Sequence, residues 1–135
     1  MKHIIMTIAI AIGILFTPAV VRALDVGDAP CRDLVITSEV SMCLAEALEE
    51  QDSLLNATYL RTIEHTEKET REELRKAQRA WIRYRDSACE AEASLYRSGT
   101  AEYPARMACL ERMTRTRNAE LVKGFGWRVE KFSEE

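Results

Sequence analysis

The stretch Leu74-Arg75-Lys76-Ala77-Gln78-Arg79-Ala80-Trp81-Ile82-Arg83-Tyr84-Arg85-Asp86-Ser87-Ala88-Cys89 runs without glycine or proline. Its apolar residues recur in steps of three and four: Leu74, Ala77, Trp81, Tyr84 and Ala88, then Ala91 or Glu92, and Leu95. That period is the seam of an antiparallel helical hairpin or small bundle. Trp81 and Tyr84 are its expected core anchors. The other face carries Glu72, Glu73, Arg75, Lys76, Arg79 and Arg83, a solvated surface on which Glu72 and Lys76 have the spacing of a helical ion pair. Upstream, Thr66-Glu67-Lys68-Glu69 has the form of a capping box, so this helix is expected to run from 67 to about 96.

Two further helices follow from the flanking sequence. Leu44, Ala47, Leu48, Leu55, Tyr59 and Ile63 share a face of a helix over 38–64, which Thr37 or Ser38 can cap. Asp52 interrupts that apolar stripe. Ser98-Gly99-Thr100 marks a turn, and Pro104 suits the first turn of a third helix. Its stripe is Met107, Leu110, Thr114, Arg117 and Leu121, with Gly124 and Gly126 expected to end it near 123. The tail, with Phe125, Trp127, Val129 and Phe132, is then free to fold back. The expectation is an all-α fold, a small antiparallel three-helix bundle or hairpin behind an N-terminal arm over 24–36.

The chain has 135 residues and formal charge −3. Lys2 and His3 precede the apolar run Ile4 to Phe16, Pro18 breaks it, and Val21-Arg22-Ala23 fits a signal-peptidase site. A run this short falls below the ~20 residues a membrane-spanning helix needs. Residues 1–23 therefore read as a secretory signal peptide, with no stable membrane insertion after cleavage, and 24–135 as a single domain. Lys2 and Arg22 leave with the leader, so 19 basic and 22 acidic side chains become 17 and 22, net −5. An acidic domain argues against nucleic acid and for a basic protein partner.

Four cysteines, Cys31, Cys43, Cys89 and Cys109, outlast the leader, and an even count in an exported chain reads as two disulfides. Cys89 and Cys109 each lie ten residues from Gly99, so in antiparallel helices they face each other. Cys31–Cys43 remains, tying the arm to the first helix. The bridges place the protein in the periplasm or outside the cell.

Catalytic chemistry finds little to work with. His65 is the one histidine beyond the leader and falls at a turn. No metal site, cofactor or nucleophilic relay is expected, and the carboxylate pairs lie on solvated helix faces. Asn56-Ala57-Thr58 matches a glycosylation sequon on a helix surface and reads as coincidence. Arg85, Asp86 and Arg117 flank the apolar seam, and Arg85 or Arg117 can pair with Asp52, Asp86 or Glu120 in a network that sets helix register. For binding, the candidates are Tyr96, Arg97, Ser98 and Tyr103 on the loop 96–104, which the second disulfide stiffens. Tyrosine and arginine are frequent anchors of protein interfaces.

Several of these residues carry a resemblance. Thr37 with Met42-Cys43, Asp52-x-x-Leu55-Asn56-x-x-Tyr59, Leu74-x-x-Ala77-Gln78-Arg79-Ala80-Trp81-Ile82-x-Tyr84-Arg85-Asp86-x-x-Cys89 and Cys109-Leu110-x-x-Met113-Thr114-x-x-Arg117-x-x-Glu120-Leu121 resemble the lysozyme inhibitor LprI-like N-terminal domain family. The resemblance covers 37–121. It implies a small, disulfide-bonded helical domain of the bacterial periplasm or exterior; the want of a catalytic constellation in the residues themselves is what makes an enzyme unexpected. Its namesake branch is a lipoprotein that inhibits lysozyme. This chain lacks a lipid-attachment cysteine, which implies a soluble form. The functional expectation is steric occlusion of a basic lysozyme, with an envelope interaction, immunity or stress role toward another protein as the alternative.

Overall fold

The computed structural model describes residues 29–132. The expected signal peptide, 1–23, lies outside the described residues. Three long helices follow one another: α1 Thr37–Glu64, α2 Lys68–Ala93 and α3 Glu102–Phe132. A short 3₁₀ turn, Ser94–Tyr96, continues the end of α2. No strand occurs among the described residues. The fold is all-α and three-helical, as the period of the sequence requires.

Successive helices are antiparallel, so α1 and α3 run in the same direction. α3 lies closest to α1 and rests more loosely on α2, while α1 and α2 scarcely approach each other. Two small cores result. Near the α1–α2 turn, Leu55, Leu74 and Leu121 are buried together, with Tyr59, Ile63, Trp81 and Phe125 packed around them. Toward the other end, Cys89, Cys109 and Leu110 form the second core with Leu48, Met107 and Met113. Both expected disulfides are present: Cys89–Cys109, which the hairpin geometry predicts, with Cα atoms 5.4 Å apart, and the remaining pair Cys31–Cys43 at 6.0 Å. The second bridge is fully enclosed, and Met113 Sδ sits 3.6 Å from Cys89 Sγ and 3.9 Å from Cys109 Sγ.

Helix termini differ from the sequence expectation. Neither Thr37 nor Ser38 caps α1; the N-cap is Ile36, without a side-chain bond. The Thr66–Glu69 capping box does not form either. Glu67 is the N-cap of α2, and the Thr66 hydroxyl turns back to donate to the Ile63 carbonyl at 3.4 Å. Thr66 is buried and its carbonyl accepts from Arg71 Nη2 at 2.9 Å, so the turn is held by packing and by a guanidinium in place of a cap. α3 passes through Gly124 and Gly126 and continues to Phe132. The tail does not fold back as a separate segment: Phe125 packs on the first core and Val129 is buried from within the helix. Buried side chains on both flanks outweigh the roughly 1 kcal/mol that each helical glycine costs.

The face that α2 buries is also rotated. Its buried residues are Leu74, Gln78, Cys89 and Ala93, whereas Ala77, Ala91 and Leu95 point outward and Tyr84 is 64% exposed. Tyr84 is thus not a core anchor. At about 100° per residue Arg85 lies only ~40° from the inward-facing Cys89, while Tyr84 lies ~140° away. The disulfide sets the face, and Arg85 takes the inward position.

Candidate functional site

Two regions concentrate the residues singled out above. The first is the end of the bundle where α2 turns into α3. Ser94 Oγ donates to the Ala91 carbonyl at 2.7 Å and the Arg97 amide reaches back to Ser94 O at 3.3 Å, which closes the 3₁₀ turn. Ser98 then adopts a left-handed conformation, φ 65°, and its amide donates to Glu102 Oε2 at 2.9 Å. The Gly99 amide donates to Tyr96 O at 2.9 Å, and a Cβ at Gly99 would lie 3.1 Å from that same oxygen. Gly99 is there for close approach, while Ser98 makes the left-handed turn.

This internally bonded knob projects its side chains into solvent. Tyr96, Arg97, Ser98 and Tyr103 are all exposed, but the expected loop 96–104 is shorter than its sequence implied: Tyr96 ends the 3₁₀ turn and Tyr103 stands in the first turn of α3, so that of the four only Arg97 and Ser98 lie between the two elements. Leu95, placed on the core seam by its spacing, instead joins them at 79% exposure. The enclosed Cys89–Cys109 bridge ties together α2 and α3, the two helices that this turn connects. Leu48 packs on that bridge, so the first turns of α1 and the Cys31–Cys43 arm belong to the same half of the molecule. There α1 displays Glu39, Glu46, Glu49 and Glu50 to solvent, and the arm displays Val35 and Ile36.

The second region is polar and lies where the three helices meet. Arg85 Nη1 donates to Asp52 Oδ1 at 3.0 Å and to Thr114 Oγ1 at 2.9 Å, and its Nε bonds Asp86 at 3.0 Å. Arg117 Nε donates to Gln78 Oε1 at 3.1 Å while its Nη1 pairs with Glu120 at 3.0 Å. Both guanidinium groups lie over the Trp81 ring, with their carbons 5.2 and 5.8 Å from its centroid. The expected network of Arg85, Arg117, Asp52, Asp86 and Glu120 is therefore assembled, with Tyr84 outside it. Sequence reading missed Thr114 and Gln78 as its buried polar members. Counting back from Cys89 in helical steps, through Arg85 to Gln78, is the signal that would have found the second of them. Predicted surface pairing also shifted: Lys76 bonds Glu73 at 2.7 Å and not Glu72.

Among the described residues, no group of three or more histidine, cysteine or acidic side chains is placed to hold a metal ion, and no helix is long and apolar enough to cross a membrane. His65 sits at the C-terminal end of α1, its amide bonded to Arg61 O at 3.3 Å.

The sequence that builds this geometry has counterparts among known proteins. The family model for the lysozyme inhibitor LprI matches residues 31–121, from the first cysteine of the arm to the core residue Leu121. The chain belongs to the LprI family. It is also 36% identical over 104 residues to an uncharacterized protein of Rhizobium meliloti (strain 1021), covering 67% of this chain and 75% of that one. No solved structure matches it significantly. The LprI match takes in both disulfides, the Arg85–Asp52–Thr114 junction and the loop 94–101. At the level of the family, function is that of a lysozyme inhibitor.

Proposed function

We propose that this LprI protein is a non-catalytic inhibitor that works outside the cytoplasm and docks its loop-bearing end onto a basic lysozyme, closing the enzyme's substrate cleft by steric occlusion. One observation carries the choice of surface: Leu95, Tyr96 and Arg97 stand exposed on an internally hydrogen-bonded turn, with Tyr103 exposed in the first turn of α3 beside it, and a buried disulfide joins the two helices that the turn connects. Such a surface loses little conformational freedom on binding, so more of the contact energy appears as affinity. The exposed carboxylates of α1 in the same half would steer a basic partner. In the docked complex Arg97 pairs with a carboxylate of the enzyme's cleft, where two acidic groups perform the hydrolysis. Tyr96 and Tyr103 pack against the walls that otherwise hold sugar.

The test is titration of the oxidised protein against animal-type lysozyme in a cell-wall lysis assay, with a goose-type enzyme alongside and salt varied. Saturable inhibition near one-to-one stoichiometry at physiological salt is expected. Arg97→Glu should weaken it tenfold or more at an unchanged thermal midpoint. No inhibition at micromolar concentration would reject lysozyme as the target and direct the search to another envelope protein, in an immunity or stress role.

A further inference from the structure

Because α1 and α2 scarcely approach each other, a cleft of about 340 Å³ opens between them, far from the loop 94–101. Its apolar lining comes from Leu55 and Tyr59 on α1 and from Trp81 and Ile82 on α2. Along its α2 edge stand Arg75 and Arg79, one helical turn apart, both exposed and neither with an ion-pair partner among the described residues. The carboxylate that also lines the cleft, Asp52, is already neutralised by Arg85 at 3.0 Å. An acidic chain thus holds two uncompensated guanidinium groups beside an apolar slot. We infer that the α1–α2 cleft is a second binding site, which takes an extended acidic–apolar–acidic peptide segment of a protein partner.

The dimensions fit that ligand. Side chains one turn apart on a helix have Cβ atoms about 5–6 Å from each other. Residues i and i+2 of an extended strand are spaced by roughly 6.6 Å and point to the same side. Two carboxylates so spaced meet Arg75 and Arg79, each guanidinium offering a fork that matches a carboxylate. The residue between them points the other way, toward Leu55 and Tyr59. A slot of this volume admits one large side chain and not a helix.

Two tryptophans occur in the chain, and Trp127 is exposed near the far end of α3. Trp127→Phe therefore leaves Trp81, at the cleft, as a single fluorescent reporter. The oxidised protein with this substitution would be titrated with an acetylated, amidated Gly-Glu-Phe-Glu-Gly peptide, its Gly-Gln-Phe-Gln-Gly counterpart and free glutamate. A saturable change in Trp81 emission is expected with the acidic peptide, at least tenfold weaker with the glutamine peptide. Arg75→Gln with Arg79→Gln should weaken it tenfold or more at unchanged helicity, since both side chains lie on the solvated face. Arg97→Glu should leave it unchanged, which separates this site from lysozyme docking. Equal binding of the glutamine peptide, equal binding by the double glutamine variant, or saturation by free glutamate in the same range would each overturn the inference.

Discussion

Arg85 and Thr114 meet at 2.9 Å, and through that contact one guanidinium on α2 is tied to α3 as well as to Asp52 on α1. The Thr114 hydroxyl is fully buried and donates in turn to Asp52 Oδ1 at 3.4 Å. One polar junction therefore sets the relative height of all three helices, two of which otherwise leave a cleft between them. Its worth lies in specifying register, because a half-buried ion pair adds little net stability but is costly to break from one side.

Thr114→Val keeps the shape and removes the hydroxyl, so Arg85 and Asp52 each lose a partner. The expected cost is about 1–2 kcal/mol by urea unfolding. Asp52→Ala should cost a similar amount. A double-mutant cycle on the two should show coupling of at least ~0.5 kcal/mol, because both act through one guanidinium. Strict additivity would deny the shared junction.

Trp81 and Tyr84 stood together as expected anchors but separate sharply in the fold. Trp81→Ala opens the first core and removes the ring beneath two guanidinium groups, for an expected loss of about 3 kcal/mol or more. Tyr84→Ala should change stability by no more than ~0.5 kcal/mol. Thermal melts of the two variants decide this rotation of the α2 face.

Gly124 sits inside α3 with nothing within 4 Å of where a Cβ would lie. Gly124→Ala should raise stability by about 0.5–1 kcal/mol, or a few degrees in Tm. A glycine ending the helix in a left-handed cap would respond in the opposite direction, so a fall in Tm would contradict a helix continuing to Phe132.

Reduction should proceed in two phases. Cys31 and Cys43 are partly accessible, whereas Cys89 and Cys109 are enclosed at 0% and 1% exposure. Mild thiol treatment of the native protein should open the first bridge, with the second opening only as the bundle unfolds. Mass spectrometry of alkylated samples over time would resolve the two. Loss of Cys89–Cys109 should cost roughly 3 kcal/mol and loosen the loop it anchors.

Much of this was legible in the chain. Steps of three and four announced three helices, and the distances of Cys89 and Cys109 from Gly99 announced how they pair. The stripe of α3, from Met107 through Thr114 to Leu121, turns inward as its spacing requires. Caps were less legible. A Thr-x-x-Glu pattern at 66–69 is compatible with a capping box, yet Thr66 is drawn into the turn, where Arg71 satisfies its carbonyl.

Helix number, the two disulfides and the exposed turn at Ser98-Gly99 rest on local rules: periodicity, turn chemistry and cysteine spacing act within one or two elements. Which residues of α2 face inward does not follow from such rules, because the stripe through Tyr84 and the one through Arg85 differ by a single position and both contain apolar residues. Packing against α3 resolves it, since the Cys89–Cys109 bridge and the buried Thr114 hydroxyl leave an inward place for a guanidinium and none for a tyrosine ring. The cleft between α1 and α2 arises in the same way: α3 draws α1 close and holds α2 more loosely, a division of contacts among three helices that no one helix encodes.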